Sequence, residues 1–270
     1  MSVFNFKDTL ILAPTFHVYE KYCDALIELL NENWPGHPDV YFFSDKRSNN
    51  KVKYKKIIRS DRSQWPFVVL NGCKEIKNKY PEVSKILLLN EEGFPLYKID
   101  DVKLLEMLNI SYNYSKKYIY FPCYDNNWKF SEEIQGQYFC STPKNYQYYT
   151  QLGPAFWDIN YLINTCEYAI ANDILSPWKF ELIVTEEEHL ISDYKWPTVA
   201  DGLFKDGFVN KNALKLLSNK RSQLRRQLQL TVFKEKPVQM YRFLLRKIIG
   251  GTNRIFSVIK IKPLVYPYRS

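Results

Sequence analysis

Two continuous apolar runs, TLILAPTF (Thr9–Phe16) and VYFFSD (Val40–Asp45), flank a helical pattern near the start of the chain. In the intervening VYEKYCDALIELLNEN, Tyr22, Leu26, Leu29 and Leu30 recur on one helical face, and WPGHPD closes the stretch. A strand, a helix and a second strand in so short a span join parallel neighbours through a right-handed crossover. Strands that are apolar without alternation are buried on both faces. This unit commits the chain to an α/β architecture: a mixed sheet flanked by helices.

The rest of the first 200 residues fits that frame. KRSNNKVKYKK reads as a polar basic loop, and QWPFVVLNGCKEI mixes strand and helix signals, with a helix expected near Trp65–Lys79. Ile86–Leu89 in KILLLNEEGFPL is a further buried strand. DDVKLLEMLN is a helix with Val102, Leu105 and Leu108 on one face, and KYIYFPC (Lys117–Cys123) is a strand. The following stretch alternates aromatic and polar residues, which predicts antiparallel strands or aromatic loops. DINYLINTCEYAIAN is a helix with Asp158 as its N-cap, and Ser176-Pro177 opens another. In TEEEHL the acids read as a solvated helix face.

Hydrophobic residues make up 46% of the 270 positions and aromatics 16%, enough for a substantial core. With 21 tyrosines and 17 phenylalanines, some aromatics must lie at the surface or line a cleft. The five cysteines show no C-x-x-C pairing, and the three histidines stand far apart, so reduced thiols and no zinc site are expected. Lys7 and Asp8 interrupt the first apolar residues, which argues against a secretory signal. No stretch approaches the roughly 18 apolar residues of a spanning helix. A cytoplasmic protein is expected.

Chemistry is sought at the carboxyl ends of the strands, where open α/β sheets bind ligands. The first strand ends in Pro14, Thr15, Phe16 and His17, the second in Ser44-Asp45, and the Ile86–Leu89 strand in Asn90, Glu91 and Glu92. Three such ends suit a nucleotide, with one acid for ribose or base and two for a divalent cation on the diphosphate. Acids also end strands simply as solvated turn residues. Neither G-x-G-x-x-G nor G-x-x-x-x-G-K-[ST] is present, and the first loop has no glycine. The common dinucleotide and P-loop folds are thereby excluded.

Four stretches carry a more specific likeness: LILAPTFHVYEKYCDAL, KILLLNEEGFPL, YYTQLGPAFWDINYLI and ILSPWKFE. Over about Thr9 to Glu188, the chain resembles bacterial nucleotide-sugar glycosyltransferases of the GT-A type, which assemble capsule and lipopolysaccharide glycans. The resemblance implies a single GT-A-like, Rossmann-type catalytic domain over residues 1–200. It implies a nucleoside-diphosphate sugar donor, bound through Pro14, Thr15, Asp45, Asn90, Glu91 and Glu92, and a growing glycan as acceptor. Glu91 and Glu92 stand where that family places D-x-D, but here the pattern is E-E-G. Either Mg²⁺ or Mn²⁺ on Glu91 and Glu92, or a basic loop such as KRSNNK, would offset the diphosphate charge. An inverting transfer needs a carboxylate to take the acceptor hydroxyl proton. Glu181 is the candidate, with Trp178 on its helix face to stack on a sugar. Asp158 is a rival base whose N-cap role already accounts for it. Gln151 and Trp157 are candidate sugar contacts, and His17 a candidate phosphate contact.

After Trp196-Pro197 the composition changes. Residues 201–270 read as a basic helical appendage. From Lys211 to Ser270, 15 Lys and Arg face a single acid, Glu235. That surplus of fourteen, against a chain total of +9, leaves the preceding residues at −5. Such asymmetry calls for an anionic partner. Leu214, Leu217, Leu224 and Leu228, and later Tyr241, Leu244, Leu245 and Ile248, give the basic helices apolar faces. These suit the inner face of an anionic membrane, where a lipid-linked acceptor would lie. Two rivals stay open: a nucleic-acid binder acting through the tail, and a sugar-nucleotide-binding scaffold without catalysis.

Overall fold

The computed structural model describes residues 6, 9–15, 19–45, 54–90, 93–123, 128–198, 204–205 and 208–216. The chain divides into two units, Met1–Gly207 and Phe208–Ser270. The first holds β1 (Thr9–Pro14), α1 (Cys23–Asn33), β2 (Val40–Asp45), β3 (Ile57–Ser60), α2 (Trp65–Lys79), β4 (Lys85–Leu88) and α3 (Asp101–Asn113). There follow β5 (Tyr118–Tyr120), β6 (Glu132–Ile134), β7 (Gln137–Ser141), β8 (Ala155–Asp158), α4 (Ile159–Ala171), α5 (Pro177–Phe180) and β9 (His189–Ser192). Of the second unit, a two-residue strand, Phe208–Val209, and a helix, Lys211–Leu216, are described. The basic stretch beyond, 217–270, lies outside the described residues. Among the described residues, no helix is long and apolar enough to cross a membrane.

Nine of the described strands of the first unit form one mixed sheet in the order β3-β2-β1-β4-β8-β5-β9-β7-β6. β1 runs parallel to β2 and β4, and β2 to β3. β8 lies antiparallel between β4 and β5, and β7 returns antiparallel to β9. This is the expected α/β class with a mixed sheet flanked by helices. Burial on both faces explains the apolar runs: every residue of β1, β2, β4 and β8 is buried. On one face Leu10, Leu12, Ile86, Leu88, Tyr118, Tyr120 and Trp157 pack with Val69, Cys73 and Ile76 of α2 and Leu162 and Cys166 of α4. On the other, Phe42 stacks on Phe94, and Phe121 meets Phe156 edge to face.

Local chemistry sets the helix starts. Asp100, Asp158 and Ser176 cap α3, α4 and α5 by accepting from Lys103 N, Tyr161 N and Lys179 N. Pro66 and Pro177 occupy first-turn positions that lack a partner for the missing N–H.

Four expectations change. β3, which the sequence reading did not assign, follows directly after the basic loop as a partly buried edge strand. α1 begins only at Cys23, after a 3-10 turn over Glu20–Tyr22. The SPWKFE helix is a single turn whose C-cap is Glu181, so Trp178 and Glu181 lie on one short turn and not along an extended helix face. The acids of TEEEHL are not helical; they lead into β9, and Glu188 pairs with Lys116.

Candidate functional site

Strand order reverses between β1 and β4, because β1 leads to β2 on one side while β3 leads to β4 on the other. Ligands of open α/β sheets bind outside the carboxyl ends at such a point. Pro14, Thr15, Asp45 and Asn90 all lie at this edge. Thr15 continues the ladder by donating its N–H to Phe43 O at 2.8 Å, and its side chain is buried. Asn90 caps the turn after β4, accepting from Gly93 N at its carbonyl and at Oδ1 (2.9 Å). That turn needs glycine, since a Cβ at Gly93 would come 2.9 Å from Pro154 Cγ.

Beneath the same edge lies an ion pair that the sequence did not reveal. Glu20 is fully buried and held by both terminal nitrogens of Arg59 and by Ser44 Oγ at 3.0 Å. Arg59 Nη1 also reaches Asp45 O at 3.4 Å. The Glu20 carboxylate raises the Arg59 pKa further. The two residues are 39 apart in sequence, with no local pattern to link them. A buried carboxylate of this kind is tolerated because it is both paired and hydrogen-bonded. It ties the ends of β2 and β3 to the turn before α1.

Glu91, Glu92, His17 and the KRSNNK loop lie outside the described residues. Among the described residues, no group of His, Cys, Asp or Glu could hold a metal ion.

The Tyr149–Pro154 segment links this edge to Glu181. Leu152 N donates to Glu181 Oε1 at 3.2 Å, and Thr150 N donates to Glu181 O at 3.1 Å. Burial pushes the Glu181 carboxyl up to about 7, and the Leu152 N–H opposes only part of that rise. Two residues on, Pro154 abuts Gly93 and accepts from Phe121 N at 2.9 Å. Gly153 approaches Tyr120 so closely that a Cβ there would lie 2.7 Å from the ring.

The other predicted contacts separate. Trp178 is 57% exposed beside Glu181. Gln151 is buried, its Nε2 without a hydrogen-bond partner among the described residues, while its backbone carbonyl accepts from Tyr118 Oη at 2.7 Å. Trp157 is fully buried between Tyr118 and Tyr161 and packs as a core residue. Asp158 is committed elsewhere: Oδ1 caps α4, and Oδ2 lies 3.3 Å from Lys117 Nζ and 3.7 Å from the buried Lys85 Nζ.

No protein-family model matches the chain, and no curated protein does. Among solved structures, a point mutant of UDP-glucose pyrophosphorylase from Leishmania major in complex with UDP-glucose aligns with a TM-score of 0.33 and 7% identity. The alignment covers 73% of this chain, which spans only 60% of that one. A cytidylyltransferase from Leptospira borgpetersenii aligns with a TM-score of 0.38 and 11% identity, over 80% of this chain and 95% of that one. At such scores the likeness extends to neither substrate nor activity.

Proposed function

We propose that this chain is a glycosyltransferase that moves a sugar from a nucleoside-diphosphate sugar to a hydroxyl of a surface-glycan acceptor. The observation that carries the reading is Glu181: a desolvated carboxyl near 7, held by one backbone N–H, beside an exposed tryptophan. A general base works best when its pKa lies near the working pH. In the reaction, the acceptor hydroxyl gives its proton to Glu181 as its oxygen attacks the anomeric carbon. The bond from that carbon to the nucleoside diphosphate breaks, and the diphosphate leaves with the electron pair. Trp178 would stack on the acceptor sugar and exclude water. The edge formed by Pro14, Thr15, Asp45 and Asn90 would receive the donor nucleotide. Glu91 and Glu92 would meet the diphosphate, with Mg²⁺ or Mn²⁺ as the ion to be tested there. The basic residues after Lys211 would dock the enzyme on the anionic inner face of a membrane, where a lipid-linked acceptor lies.

The test is a thermal-shift panel of UDP, GDP, CMP and dTDP, each with and without Mn²⁺ or Mg²⁺. Ligand at about 100 times its Kd adds roughly 2.7 kcal/mol of stability. One nucleotide is expected to stabilise the protein, and its sugar conjugates are then assayed for transfer. Glu181→Gln is expected to keep that stabilisation and to lose transfer by about 10²-fold or more. No stabilisation by any nucleotide overturns the reading. Nucleotide binding with a silent Glu181→Gln and no turnover marks a non-catalytic scaffold.

A further inference from the structure

Glu181 receives its hydrogen bond from a segment that is itself clamped at one buried histidine. His189 on β9 is fully buried and sandwiched between Tyr118 and Tyr149, with ring centroids at 4.3 and 4.4 Å. Its Nδ1 lies 3.1 Å from Tyr149 O. A carbonyl only accepts, so Nδ1 carries the proton and Nε2 is left as an acceptor. The Tyr161 hydroxyl, 2.7 Å from Nε2, donates to it and lies 2.6 Å from Thr185 Oγ1.

The same two stretches of chain are laced together along their length. Tyr149 Oη donates to Glu187 O at 2.7 Å, and Thr150 Oγ1 to Ile183 O at 2.7 Å. Tyr118 Oη fixes the carbonyl of Gln151. With the chain segments Tyr149–Leu152 and Glu181–Thr185 between them, these hydrogen bonds close a loop from His189 through Tyr149 and Leu152 to Glu181, then through Thr185 and Tyr161 back to His189. A neutral imidazole donates at one end and accepts at the other, which suits this buried, flat slot.

We infer that the Tyr161–His189 pair is the positioning device for Glu181: it fixes the Tyr149–Leu152 segment that covers and orients the carboxyl. Neither residue touches Glu181 itself. Both act through the backbone of that segment. A general base held in this way keeps its geometry without a second charged partner, which would pull its proton affinity away from neutrality. The inference deepens the transferase reading, on which the functional meaning of Glu181 rests.

The test needs no donor. The side-chain carboxyl of Glu181 is titrated by ¹³C NMR in the full chain, with its resonance assigned through Glu181→Gln. Tyr161→Phe and His189→Gln are expected to loosen the segment, admit water and lower the midpoint by about half a pH unit or more. Thr185→Val, which removes only one hydroxyl from the ring, should shift it the same way by less. Leu29→Ala, in the core of α1, should lower the melting temperature and leave the midpoint in place. Folded Tyr161→Phe and His189→Gln proteins that titrate like the parent overturn the inference, as does an equal shift in Leu29→Ala. If those two variants do not fold, Thr185→Val decides, and an unmoved midpoint there overturns it. A failed nucleotide panel would leave this result standing. An unmoved titration would leave the transferase reading standing.

Discussion

Glu181 and His189 are both desolvated, and burial drives their proton affinities in opposite directions because their charged forms differ in sign. The Glu181 carboxyl rises from 4.5 to about 7. The folded state therefore holds a proton that the unfolded state has released across that window. Its contribution to stability is full below about 4.5 and is lost as pH climbs to about 7. Glu181→Gln should accordingly gain on the parent protein between pH 5 and 8, by on the order of 2 kcal/mol after discounting the partly exposed side chain, as read from urea midpoints. His189 falls from 6.5 to about 4. Here the unfolded state binds the extra proton, so the contribution is present above about 6.5 and is lost as pH falls toward 4. His189→Gln should flatten the loss of stability between pH 6.5 and 4.5, measured the same way. Both residues are visible in the sequence as titratable groups. Their burial is not, because it depends on a Tyr149–Pro154 segment that is remote in sequence.

At the scale of elements, one glycine shows how closely a helix and a strand approach. Gly72 in α2 faces β2, and a Cβ there would lie 2.4 to 2.5 Å from the Phe43 ring. Gly72→Ala should destabilise the protein by about 1–3 kcal/mol in chemical denaturation and leave nucleotide stabilisation intact, because the clash lies in the core. The strand over Val40–Asp45 was legible from its apolar run, while the stretch that forms the helix Trp65–Lys79 carried mixed strand and helix signals. β3 and β9 were not legible. Ile57–Ser60 sits at a sheet edge with a polar surround, and His189–Ser192 is too short to show a period. The edge hairpin β6–β7 was visible only as aromatic-polar alternation, which fixes strand character but not partners.

At the scale of the whole molecule, the charge asymmetry is a property of sequence with consequences for partners. The intact protein should sediment with vesicles containing phosphatidylglycerol and not with neutral phosphatidylcholine vesicles, and salt should release it. Each basic residue near an anionic surface contributes about 1 kcal/mol, screened beyond a Debye length. Retention of single-stranded oligonucleotides with a steep salt slope, and no vesicle binding, would favour a nucleic-acid partner instead.

Sequence by itself determined the α/β class, the first βαβ unit, the capped helix starts at Asp158 and Ser176, and the strand ends that gather Pro14, Thr15, Asp45 and Asn90. These follow from side-chain period, capping and turn chemistry, which act over a few residues. Only the tertiary structure decided that β8 lies antiparallel between β4 and β5. It alone buried Trp157 in the core, paired Glu20 with Arg59, and set Leu152 against Glu181 and His189 against Tyr149. Those outcomes depend on contacts across tens of residues, where burial and hydrogen-bond satisfaction are settled by what packs against what.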